Sequence, residues 1–248
     1  MPDVKLSQLA AASAASVAAG AGLWTMAGHI LGLRMEYVGP AAVRVSSGSA
    51  WIPSLQQAIE VPAALTLSGL TLAANTWYHL YLYLNGSTPA IEAVTDAPAA
   101  PYSGTARAKT GAASRRYVGS FRTNASSQII QFLHHGDHVD YLRISGVSEL
   151  RVLANGQSVS DASVNCAGVI PVTSRLGLMR FVNNDNALDC LTGLSDIGAG
   201  NIHYQLRASS SVYAIHPLNS SQALTYFWSV SAPTGGLFID VAGYYYER

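Results

Sequence analysis

The stretch WYHLYLYLNG, residues 77–86, packs four aromatic rings and a histidine into seven positions and ends in Asn-Gly. A β-strand sends successive side chains to opposite faces. On that geometry Trp77, His79, Tyr81 and Tyr83 share one face, while Tyr78, Leu80, Leu82 and Leu84 share the other. The leucine face suits the core of a sandwich. The aromatic face carries polar tips and is expected at a partly wet or subunit-covered surface. Asn85-Gly86 is a strong turn signal, because both residue types tolerate positive φ. Residues 90–94 are expected to return as the partner strand, with Ser87, Thr88 and Pro89 widening the loop.

The same texture extends in both directions. From residue 34 onward, short apolar runs are broken by Gly, Pro, Asn, Ser and Asp, the pattern of an all-β sandwich or barrel. A first set of expected strands covers residues 34–38, 42–45, 50–52, 58–61, 77–84, 90–94, 116–122 and 129–133. A second set covers 141–144, 149–153, 169–172, 178–182, 203–208, 212–215, 224–230 and 237–246. Between them lies HHGDHVD, residues 134–140, read as a polar hinge with a boundary near 136. No repeat at a fixed period points to a solenoid or propeller. The expected fold is therefore mainly β. Two antiparallel β-sandwich-type domains, 34–136 and 137–248, follow an Ala-rich helical or extended segment, 1–33. Helix candidates are few: residues 5–20, which Ser7 could cap, and a short turn near 185–191.

Composition bounds the function. The chain has 248 residues with 14 basic and 14 acidic side chains, and only 11% are charged. Typical soluble domains carry about 25%. So little charge leaves much uncharged surface, which predicts cover by partner subunits. A net charge of zero argues against a nucleic-acid binder. No Asp, Glu, Lys or Arg occurs between Leu6 and Leu33, a stretch long enough to suggest a membrane span. It is built from Ala, Ser and Gly, however, which contribute little to insertion. Its flank, Met1 to Lys5, lacks the basic region of a secretory signal. The expectation is a docking or oligomerisation segment with no membrane span. Cys166 and Cys190 are expected as free thiols acting as small hydrophobes.

Two strings carry a family resemblance: LTLAANTWYHLYLYLNGSTPAIE, and PAAPYSGTARAKTGAASRRYVGSFRTNASSQIIQF. Together, over about residues 34–133, they resemble a β module of tailed-bacteriophage virion structural proteins, often tail-fibre or appendage components. The closing GGLFIDVAGYYYER resembles the last strand of β-sandwich modules in phage and bacterial surface proteins. The resemblance implies a virion protein made in the host bacterial cytoplasm and commonly homotrimeric. It further implies anchoring to other virion proteins through the N-terminal segment and carries no catalytic residue onto this chain. Two related roles stay open: a host receptor- or glycan-binding protein, and a capsid decoration or head-fibre protein.

Several constellations of side chains could carry chemistry. Trp77, His79, Tyr81 and Tyr83, with Arg115 and Arg116 from the basic cluster, form a candidate ligand or interface surface that could include host surface glycan. In HHGDHVD the density of imidazoles and carboxylates suits a divalent ion, with His134, Asp137 and His138 as candidate ligands. No established spacing is matched there, so no metal is assigned and the segment is read as a solvated linker. Gly-x-Ser-x-Gly is absent, no two carboxylates are paired by spacing, and no phosphate loop is present. The expectation is a protein without enzymatic activity and without a cofactor.

Overall fold

A computed structural model describes residues 26–142, 148–194, 201–228 and 233–248. Among the described residues it is mainly β, with 57% in strands and no helix of seven or more residues. The helix expected within 5–20, and most of the docking segment, lie outside the described residues. The end of that segment is described: β1 (Ile30–Gly32) pairs with β4 (Gly48–Ile52), which pairs with β5 (Gln57–Val61). A second three-stranded sheet joins β2 (Met35–Gly39), β3 (Ala42–Val45) and β6 (Leu65–Leu67).

The WYHLYLYLN run is β7 (Trp77–Asn85), held between β8 (Thr88–Val94) and β10 (Ala112–Arg122), with β9 (Ala108–Lys109) at the far edge. Its hairpin is tighter than expected. Asn85 pairs directly with Thr88, so Gly86 and Ser87 alone make the turn. Gly86 at φ +64° supplies the left-handed residue that a two-residue turn needs. Pro89 is tolerated because β8 is an edge strand, where a missing N–H breaks no ladder.

The six-stranded sheet is organised around β20 (Leu237–Tyr246). On one side β20 pairs with β15 (Ser174–Asn183), which pairs with β18 (Ser211–Pro217). On the other it pairs with β12 (His138–Tyr141) and β13 (Arg151–Gly156), and β12 pairs with β11 (Phe132–His135). A four-stranded sheet completes the molecule, in the order β14 (Ala162–Asn165), β19 (Ala223–Trp228), β16 (Cys190–Gly193) and β17 (Ile202–Leu206). Strands β14 and β16 were not expected from the sequence. Residues 169–172, expected as a strand, form turns instead. There the backbone N–H groups of Val169 and Ile170 fold back on the Cys166 carbonyl.

The polar hinge is corrected to a β-hairpin. Phe132 to His135 pairs with His138 to Tyr141, and Gly136 at φ +59° turns the chain between them. Residue 136 is thus a hairpin turn, and both of its strands belong to the six-stranded sheet. Buried contacts also tie the two expected halves together. The Tyr244 hydroxyl donates to the Ser120 carbonyl at 2.8 Å, and the Tyr246 hydroxyl to that of Val118 at 3.1 Å. Trp77 Nε1 donates to the Ala167 carbonyl at 3.0 Å. Buried apolar residues from Leu33 to Tyr246 form one continuous cluster.

Candidate functional site

The first expected surface lies inside the chain. His79 and Tyr81 are buried, Trp77 and Tyr83 half-buried. Both faces of β7 are covered along its middle: Tyr78, Leu80 and Leu82 are buried on one and His79 and Tyr81 on the other, and the Trp77 ring meets that of Tyr244 edge-on at 6.1 Å. His79 Nδ1 lies 2.7 Å from Ser120 Oγ, which lies 2.8 Å from the Tyr117 hydroxyl. That hydroxyl in turn sits 2.9 Å from Thr173 Oγ1. Tyr81 donates to the Asp96 carbonyl at 2.7 Å. These polar tips are satisfied by protein groups, which is how aromatic residues with polar atoms are accommodated in a core.

The basic cluster is likewise dispersed. The Arg115 guanidinium lies 3.8 Å over the Tyr83 ring and pairs with Glu92 at 3.3 Å. Arg116 is fully buried, donating to the carbonyls of Arg107 and Tyr117. Desolvation lowers its pKa, and Tyr102 acts against that shift. No continuous basic patch results.

The open surface is the outward face of the six-stranded sheet. Directly paired residues in antiparallel strands point to the same side. The register places Leu133 and His135 of β11, His138 and Asp140 of β12, and Tyr245 of β20 on that side. The same register adds Leu176 and Leu178 of β15 with Ile215 and Tyr213 of β18. Leu133, Leu176, Tyr213 and Ile215 are exposed by 53%, 39%, 55% and 41%. At the centre of this face the buried Asp240 carboxylate accepts from Arg151 at 2.7 and 3.2 Å and from Arg180 at 3.4 Å. Those two arginines roof an otherwise buried charge.

At one corner sit three groups with metal-binding chemistry. His135, His138 and Asp140 bring one ligand atom each to within 4.8 Å of one another. The hairpin explains the placement: His135 and His138 are direct partners across the two-residue turn, and Asp140 follows His138 by two on the same face. Of the candidates read from sequence, only His138 belongs here. His134 faces inward, where its Nδ1 accepts the Met35 backbone N–H at 2.8 Å, leaving the ring proton on Nε2 opposite the Gly136 carbonyl at 3.2 Å. Asp137 lies exposed in the turn and contributes its backbone carbonyl to Tyr246 N–H. Period-two counting from His138, plus recognition of His-Gly-Asp-His as a two-residue turn, would have selected His135 and Asp140.

His29 Nε2 lies 2.7 Å from Ser49 Oγ, in a recess shared with Glu60. No hydrogen bond joins His29 to Glu60 among the described residues. Among the described residues, no helix is long and apolar enough to cross a membrane. Cys166 and Cys190 are free and buried. No family model matches the chain, and no curated protein matches it significantly.

Proposed function

We propose that this all-β chain is a non-enzymatic structural protein of a tailed-bacteriophage virion, a tail-fibre or similar appendage component that assembles with copies of itself. The observation that carries the reading is the outward face of the six-stranded sheet, where Leu133, Leu176, Tyr213 and Ile215 stand exposed on a chain with few charges. Apolar sheet faces bordered by a bare edge strand are templates for association. Strand β18, which carries two of the four residues, is such an edge. The resemblance over residues 34–133 supplies the phage context, the homotrimer and the mounting through the N-terminal segment. A capsid decoration or head-fibre role uses the same surface equally well. A host-glycan role has less support, because Trp77, His79 and Tyr81 are enclosed.

Sedimentation of the purified chain tests the self-association. The expected mass is a multiple of 26.1 kDa. Tyr213→Lys combined with Ile215→Lys should reduce it to one chain while leaving the β circular dichroism intact. A monomeric wild type would remove the basis of the reading.

A further inference from the structure

We propose that His135, His138 and Asp140 form a binding site for a divalent transition ion of the zinc type, with three protein ligands and the remaining position open to solvent or to a neighbouring chain. Three observations converge on it.

The first is spacing. His138 Nε2 lies 3.4 Å from Asp140 Oδ1, and His135 Nε2 lies 3.7 Å from Asp140 Oδ2. Both distances exceed the usual 2.7–3.2 Å of an N–H···O hydrogen bond. Zinc bonds to nitrogen and carboxylate oxygen are about 2.0–2.2 Å, so the edge of a tetrahedron around the ion is about 3.3–3.6 Å. The two histidine–aspartate separations stand near that edge, each carboxylate oxygen facing a different imidazole, and the three ligand atoms lie within 4.8 Å of one another, so a small inward shift of the hairpin turn would complete the geometry.

The second is an unsatisfied donor site. His138 Nε2 is buried and has no hydrogen-bond partner. Leaving a buried polar atom unpaired costs about 1–3 kcal/mol. It lies 3.4 Å from Asp140 Oδ1 and within 4.8 Å of the His135 ligand atom, so an ion shared by the three would satisfy it.

The third is a shaped surround. The His138 ring stacks on Tyr245, with centroids 4.3 Å apart and planes 15° from parallel, which fixes its orientation. Gly243 is the β20 residue opposite Asp140. A Cβ there would lie 3.0 Å from His138 Nε2 and 2.5 Å from the Val139 carbonyl. Glycine therefore keeps the space beside the ligand nitrogen clear. Burial, the larger effect, lowers the His138 pKa; Asp140 opposes this and His135 adds to it. A neutral imidazole is the form that ligates metal.

An ion held there would tie the two strands of the hairpin together, since His135 comes from β11 and His138 and Asp140 from β12. It clamps the β11–β12 hairpin at the corner of the open sheet face. Three ligands and an open position also suit completion by a donor from an adjoining copy.

The test is titration of the chelator-treated full chain with zinc chloride by calorimetry, and with cobalt chloride by visible absorption. One ion per chain is expected, with the intense visible bands of four-coordinate cobalt. Asp140→Asn, which keeps the shape of the side chain, and His135→Ala, at an exposed position, should each weaken binding by about tenfold or more. Absence of saturable binding by the wild type, or wild-type affinity in both variants, overturns the assignment. Because the titration is read per chain, it can succeed or fail whatever the oligomeric state.

Discussion

Three buried histidines, His79, His134 and His216, make the stability of this protein acid-sensitive above the range where its carboxylates titrate, and His134 is lowered from 6.5 to about 4 by burial and by the Arg248 charge. His79 and His216 are both enclosed, and burial lowers each from 6.5 to about 4. For His79 the Asp96 charge opposes the effect. For His216 the bond to the Pro217 carbonyl opposes it and His203 adds to it. His216 Nδ1 lies 2.6 Å from that carbonyl and Nε2 lies 3.1 Å from Thr192 Oγ1, contacts that the neutral ring with its proton on Nδ1 satisfies. The unfolded chain takes up these protons near pH 6.5 and the folded chain only near pH 4. Their stabilising effect is therefore complete above about 6.5 and is lost as pH falls through about 4. The gap corresponds to about 3 kcal/mol for each histidine, or about 6 kcal/mol for the pair. That is comparable with the whole stability of an ordinary domain, about 5–15 kcal/mol. Urea unfolding between pH 6.5 and 4.5, with chelator present, should show stability falling by about 2 kcal/mol per pH unit from the pair, and by about 1 kcal/mol more from His134. In His79→Gln or His216→Gln the total slope should fall by about a third. A flat profile for the wild type, or slopes unchanged in both variants, would refute the claim that these rings are held neutral.

Two other perturbations have definite expected outcomes. Burial raises the Cys166 and Cys190 thiols from 9.0 to about 12, which cuts the thiolate fraction by about a thousandfold at neutral pH. Alkylation by iodoacetamide should thus be negligible in the folded chain and become fast in urea, counted by mass spectrometry. In Gly193→Ala the new Cβ would lie 1.7 Å from the Asn201 backbone carbonyl, where β16 meets β17. A backbone clash cannot be relieved by rotating a side chain, so a loss of about 3 kcal/mol in urea unfolding is expected. Near-normal stability would argue against that pairing.

Strand identity was written in the local sequence. The runs at residues 42–45, 77–84 and 237–246 were legible because alternation and β-branched or aromatic content are properties of neighbours along the chain. The free, buried state expected of Cys166 and Cys190 was legible from their apolar character. Which face of a strand is covered is a different kind of fact. The Trp77–Tyr83 face resembles a surface in sequence because its rings carry polar tips. It is buried because β20, some 160 residues later in the chain, brings Tyr244 and Tyr246 against β10. In the same way HHGDHVD reads as a solvated joint until β20 pairs with it. That pairing turns His134 inward and His135, His138 and Asp140 outward together. Local periodicity determined where strands form, because it depends on residues a few positions apart. Partner choice and side-chain enclosure were decided by pairings between distant segments, and these placed the open sheet face and its histidine corner.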